Sequence, residues 1–238
     1  LKQKLAAILP AQIKEIKEFV GANADKKVSE VTLGQAYGGI RGVKALICDT
    51  SEVPPDKGLI IRGKELGEIT DKLPEEILWL LLTGELPNKE ELADLQADLQ
   101  SRQDVPTYVW NVLNEMPSDS HPMAMFNSAI LVMQRESKFA KNYNDITKAE
   151  YWEYTLEDSL DIIAKLPAIA AFVYRKRFDK GARIDAKPGA DLGENFAHML
   201  GMNDDKGNFA NLMRLYLTLH SDHEGGNVSA FSSATVNS

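Results

Sequence analysis

The chain holds one cysteine, Cys48, in 238 residues, so no internal disulfide can staple it. Its fold must rest on buried apolar side chains, and the cysteine usage fits a reducing compartment. No apolar run approaches the roughly 18 residues of a membrane-spanning helix, so a membrane partner is not expected. No Lys/Arg-rich run is present, and the formal charge is −8, so a nucleic-acid partner is not expected either. A small anion stays admissible, because a cleft sets its own local potential. The first residues show no charged-then-apolar signal segment, and the sequence opens at Leu1 rather than Met.

What is present is the material of a globular helical protein: 44% apolar and 26% charged residues, with 16 glycines and 10 prolines. Ala11 to Val20 places Ile13, Ile16, Phe19 and Val20 on one helical face, with Pro10 suited to the first helical position. Pro74 opens a helix whose interior, Ile77 to Leu82, is apolar all round, and Gly84 closes it. Glu91 to Gln103 reads as a mostly polar helix. His121 to Gln134 is nearly uncharged and reads as a central helix packed on several sides. Ala149 to Arg177 is the longest helical stretch, and Pro167 is expected to kink or split it. Phe178 to Asp191 reads as a surface loop, followed by helices over Leu192 to Met202 and Asn208 to Leu219. Two short β-like runs, Val43 to Cys48 and Gly58 to Ile61, flank a turn-rich link and read as a hairpin. The expected fold is all-α with that one small β-hairpin near the N-terminus.

The polar run His220-Ser-Asp-His-Glu-Gly-Gly-Asn227 directly follows the last apolar helix. Three readings stand side by side. His220 and His223, with Asp222 and Glu224, could begin a metal site, although Gly225-Gly226 argues against a continuing helix. The imidazoles could simply satisfy a helix end. Or the cluster could hold a small carboxylate or keto acid: imidazoles donate to its oxygens, glycines let backbone amides approach, and Asn227 caps a new helix whose dipole favours an anion. Spacing favours the anion reading and assigns no metal. Tyr37-Gly-Gly-Ile-Arg-Gly-Val-Lys44 lacks the spacing of a phosphate loop and reads as a glycine turn with Arg41 in solvent. Cys48, in an apolar run, reads as a small hydrophobe rather than a nucleophile.

Taken together, His220 to Ala230, Leu212-Met-Arg-Leu-Tyr-Leu-Thr218, Tyr37-Gly-Gly-Ile-Arg-Gly42, Ile61-Arg-Gly63, Leu78 to Gly84, His121-Pro-Met123, Tyr151-Trp-Glu and Asn195-Phe resemble the citrate synthase family, in its eukaryotic-type branch. The resemblance covers nearly the whole chain and the amino-terminal part of the family's length. It implies one large helical domain over residues 1–238, without the family's smaller closing domain, and a homodimer. It implies condensation of acetyl-CoA with oxaloacetate to citrate, with the coenzyme A thioester as substrate and no separate cofactor.

By the same resemblance His223 and Asn227 contact oxaloacetate, with His220 as an orienting companion. Arg41 and Lys141 (after Phe139-Ala140) bind coenzyme A phosphates. The family's enolising histidine, second catalytic histidine, catalytic aspartate and carboxylate-binding arginines match no residue here, so the chain by itself is expected to be inactive. A 2-methylcitrate synthase, or a non-catalytic helical dimerisation fragment, is the alternative. A bacterial cytoplasm is the expected location, with a mitochondrial matrix as the other possibility.

Overall fold

The computed structural model describes residues 1–44, 47–223 and Ser232. These form α1 (Lys2–Asn23), α2 (Leu33–Tyr37), β1 (Ser51–Glu52), β2 (Ile60–Ile61), β3 (Lys64–Glu65), α3 (Leu66–Ile69), α4 (Pro74–Thr83), α5 (Lys89–Arg102), α6 (Thr107–Glu115), α7 (Pro122–Met133), α8 (Lys138–Asn142), α9 (Tyr151–Arg177), α10 (Leu192–Leu200) and α11 (Asn208–Leu219). The fold is helical with one small sheet, as the sequence pattern implies.

Local chemistry sets the helix ends. Pro74 stands in the first turn of α4, and the chain leaves that helix at Gly84, whose φ of 85° lets its N–H bond the Leu80 carbonyl at 2.8 Å. At α5 the Asn88 side chain accepts the Glu90 and Glu91 amides at 2.9 and 3.0 Å, while the Glu91 carboxylate accepts the Asn88 amide at 2.9 Å. At α8 an Asp158 oxygen from α9 accepts the Lys138 amide at 2.7 Å, so the long helix caps the short one.

The central element is α9. Leu156, Leu160 and Ala164 on its first half pack with Leu5 of α1, Trp79 of α4 and Leu95 and Leu99 of α5. Ile169 and Val173 on its second half pack with Val109 and Leu113 of α6 and Met125, Ala129 and Met133 of α7. Fully burying such aliphatic side chains stabilises by about 1.5–3 kcal/mol each. Pro167 neither splits α9 nor ends it. Likewise Pro10 lies inside α1 rather than at its start. At Pro167, core contacts through Ala164 before it and Ile169 after it offset the ~3 kcal/mol cost of a mid-helix proline, whereas Pro10 has Leu5 in the core before it and exposed residues after it.

Two expected faces differ from the pattern. Ile13, Ile16, Phe19 and Val20 of α1 are 43–58% exposed, and it is Leu5, earlier in the helix, that enters the core. In α7 only one side is covered: Leu131 is 74% exposed and Met123 53%.

The hairpin is displaced and gains a strand. Val43 to Cys48 contributes no strand among its described residues. Instead Ser51 pairs with Ile61 and Glu52 with Ile60, across a turn closed by the Gly58 amide on the Pro54 carbonyl at 2.9 Å. The chain then folds back through Arg62 and Gly63 so that Ile61 pairs with Lys64. Both turn residues have positive φ, 47° and 76°, which a two-residue primed hairpin turn requires. For arginine that conformation is unusual, and the side chain holds it. Arg62 Nε and Nη2 donate to the Leu81 carbonyl at 3.0 and 2.8 Å, and Nη1 donates to the Asp49 carbonyl at 3.2 Å. Ile61, Ile69, Ile77 and Leu80 seal the sheet onto α3 and α4.

Candidate functional site

The histidine run begins where α11 ends, so the anchoring of α11 comes first. Asp191, the N-cap of α10, receives the Arg214 guanidinium of α11 at 2.6–3.1 Å and caps the Glu194 amide at 3.0 Å. Burial alone pushes the Asp191 carboxyl up, but the Arg214 hydrogen bonds and the Glu194 amide bring it below the ordinary range. The two helices also touch through Gly193: a Cβ there would lie 2.9 Å from the Arg214 backbone nitrogen. At the other end of α11, fully buried Thr218 donates to the Lys72 carbonyl at 3.3 Å, just before α4.

His220 closes the helix. Its amide bonds the Tyr216 carbonyl at 3.1 Å, its Nδ1–H donates to the same carbonyl at 2.8 Å, and its ring stacks on Tyr216 with centroids 4.1 Å apart. This is the helix-end role that spacing alone allowed for an imidazole. With Nδ1–H committed, neutral His220 offers Nε2 only as an acceptor, and it donates to a guest oxygen only as imidazolium.

Beyond it, Ser221 donates to the Thr218 carbonyl at 2.8 Å. The Asp222 carboxylate accepts the His223 amide at 2.9 Å on one oxygen and the Thr50 hydroxyl at 2.5 Å on the other. His223 itself is exposed, and among the described residues no hydrogen bond engages its ring.

Thr50 is the partner that sequence reasoning missed. It lies 172 positions from Asp222, on the strand side of an open pocket of about 240 Å³ lined by Cys48, Asp49, Thr50, Ser51, Glu52, Ile60, Arg62 and Gly63. Cys48 Sγ lies 3.2 Å from the Thr50 hydroxyl. Burial pushes the Cys48 thiol up, but the hydrogen bonds around it, the Ser51 and Thr50 amides among them, bring it below its ordinary value. Nothing in the local pattern around Thr50 signals such a role.

Of the remaining expected site residues, the two that are described, Arg41 and Lys141, are not gathered here. Asn227 lies outside the described residues. Arg41 is exposed in the turn after α2, as its glycine-rich surroundings imply. Lys141, on α8, is exposed and pairs with Glu136 at 3.6 Å. Among the described residues no hydrogen bond or ion pair joins Arg41 or Lys141 to the His220–His223 segment. No group of three or more His, Cys, Asp or Glu side chains suited to a metal occurs among them either.

A family model described as citrate synthase, C-terminal domain, matches residues 39–238 and so takes in both Thr50 and the histidine run. The chain belongs to the citrate synthase family. It is 45% identical to the mitochondrial citrate synthase of Saccharomyces cerevisiae, over 100% of this chain and 52% of that protein. It is 43% identical to the peroxisomal citrate synthase of the same yeast, over 100% of this chain and 54% of that protein. The chain thus spans about half the length of the curated relatives it matches.

Solved structures agree on the fold. The citrate synthase of Pyrobaculum aerophilum aligns with a TM-score of 0.70 at 23% identity, covering 84% of this chain and 51% of that one. A citrate synthase from Thermoplasma acidophilum, solved as a ternary complex with carboxymethyl coenzyme A and oxaloacetate, aligns with a TM-score of 0.66 at 23% identity, covering 82% of this chain and 49% of that one.

Proposed function

We propose that this chain supplies the oxaloacetate-binding helix end of a citrate synthase, an acyltransferase that condenses acetyl-CoA with oxaloacetate to give citrate and free coenzyme A. Family membership over residues 39–238 supports the reaction class. The observation that carries the site is the end of α11, where His223 presents an imidazole that no hydrogen bond engages among the described residues, while the preceding residues are tied down on both sides.

In this reaction a carboxylate takes a proton from the acetyl-CoA methyl while a histidine stabilises the enol. The enol carbon then attacks the oxaloacetate ketone, whose oxygen takes up a proton, and water cleaves the thioester. His223 donates to the ketone or a carboxylate of oxaloacetate, with Asn227 as the second contact and His220 orienting. Arg41 and Lys141 bind the coenzyme A phosphates, Lys141 as a point charge rather than a bidentate fork. The thioester is a substrate, and no further cofactor enters the scheme. The proton-abstracting carboxylate and the enolising histidine are assigned to no residue of this sequence, and groups that act as a unit leave little activity when any is missing.

Residues 1–238 are read as one large helical domain, and a second copy is the expected partner. The uncovered side of α7 supports this: Ile130 and Leu131 line an apolar cleft of about 310 Å³ shared with Ile162 of α9. The relatives reported are named as mitochondrial or peroxisomal, which favours the matrix over the bacterial cytoplasm expected first.

Calorimetric titration of oxaloacetate into the full-length protein carrying this sequence tests the site. His223→Ala should weaken binding by about 1–3 kcal/mol, the scale of a lost buried hydrogen bond. Unchanged affinity overturns the assignment.

A further inference from the structure

We infer that Thr50 is a positioning residue for the oxaloacetate site, acting through Asp222 on His223; this rests on the function proposed above. The geometry is a relay between two parts of the chain. Asp222 accepts the Thr50 hydroxyl on one carboxylate oxygen and the His223 amide on the other. That places the turn carrying His223 at a fixed distance from the sheet rather than leaving it on the frayed end of α11.

Thr50 can serve as an anchor because it is itself held. Its carbonyl accepts the Arg62 amide at 2.8 Å, and the Arg62 guanidinium grips the Leu81 carbonyl at the end of α4. The line from α4 through Arg62, Thr50 and Asp222 to His223 is therefore continuous in hydrogen bonds. A hydroxyl donating to a carboxylate is among the stronger neutral-donor contacts, because the acceptor is charged. Valine at position 50 keeps the size and branching of threonine and removes the hydroxyl that donates to the Asp222 oxygen.

Steady-state kinetics and oxaloacetate binding in the full-length protein, with melting temperature as a folding control, test the relay. Thr50→Val should raise the KM for oxaloacetate about 10-fold or more, the effect of losing one hydrogen bond to a charged group, and should leave the KM for acetyl-CoA within about 2-fold. Thr50→Ser, which keeps the hydroxyl, should restore the parental KM, a rescue that a mere packing role does not give. Asp222→Asn should weaken oxaloacetate binding in the same direction.

The double variant Thr50→Val/His223→Ala should bind oxaloacetate no worse than His223→Ala alone, because both changes break one line of contact. Full additivity, or a Thr50→Val protein with parental oxaloacetate KM while His223→Ala is impaired, overturns the relay and leaves the site standing. Parental affinity in His223→Ala overturns the site, and the relay with it.

Discussion

The Glu75 carboxyl of α4 accepts the Leu192 amide at 2.8 Å, joining that helix to the first turn of α10, while its other oxygen is buried with no hydrogen-bond partner among the described residues. Glu75 is 2% exposed. Burial pushes its carboxyl above the ordinary glutamate range, and the Leu192 amide offsets only part of that. Glu75 also lines a small cavity in which Gln96, Gln100, Gln103 and Asn195 alternate with apolar residues such as Leu99 and Met199.

Because the folded-state pKa of Glu75 is raised, its contribution to stability is fully present below the unfolded-chain value and is lost as pH rises through the folded value. Glu75→Gln keeps the acceptor for Leu192 and cannot ionise. Its melting temperature should therefore gain on the parent as pH is raised from about 4 to 7, by a few degrees, the scale of roughly 1 kcal/mol in a chain of this size. Thermal melts across that range check this. A constant gap means Glu75 titrates as it does in the unfolded chain.

Arg102 ties α5 to α9 by donating to Asp98 at 2.7 Å and to Glu157 and Asp161 at 2.9 Å each. Burial disfavours its charge, but the three carboxylates outweigh that and raise its pKa further. Arg102→Met keeps much of the packing and leaves those carboxylates crowded around an apolar tip. Denaturant unfolding should show a loss of about 1–3 kcal/mol, the range for hydrogen bonds to charged groups. A loss below about 0.5 kcal/mol would mean that solvent screens the cluster as it screens surface pairs.

Gly193→Ala should separate α10 from α11, since the added methyl meets the Arg214 backbone rather than a flexible tip. The expected cost is about 1–3 kcal/mol of stability, as for an overpacked core site. A circular-dichroism melt unchanged within a degree contradicts the close approach.

Cys48 reports on Thr50 independently of any substrate. The Thr50 oxygen lies against both the Cys48 sulfur and the Asp222 carboxylate, so Thr50→Val should shift the titration of the Cys48 thiol and with it the pH profile of alkylation. The pH dependence of iodoacetamide labelling measures it. An unshifted profile contradicts the Cys48–Thr50 contact.

Much of the helical frame was legible in the sequence because its boundaries are set by short-range chemistry. Asn208 to Leu219 is the helix the pattern implies, and Pro74 and Gly84 bracket α4 as their backbone preferences require. The prolines misled, since Pro10 and Pro167 both sit inside continuous helices, and at Pro167 the core packing of Ala164 and Ile169 outweighs the local preference. The apolar stripe of Ile13, Ile16, Phe19 and Val20 shows which face of α1 is apolar, but periodicity does not say what covers it. The first strand was misplaced because β propensity lies in Val43 to Cys48 while register is set by pairing with Ile60 and Ile61. At the site, His220 and His223 stood out as residue types in an odd place. Thr50 could not, since its role exists only after the chain brings positions 50 and 222 together.

The most direct measurement is release of the coenzyme A thiol by the full-length protein carrying this sequence, followed with acetyl-CoA in the presence and absence of oxaloacetate. The account predicts thiol release that requires oxaloacetate and that falls sharply in His223→Ala. Release that ignores oxaloacetate contradicts it, as does a clear preference for propionyl-CoA, which would make the enzyme a 2-methylcitrate synthase.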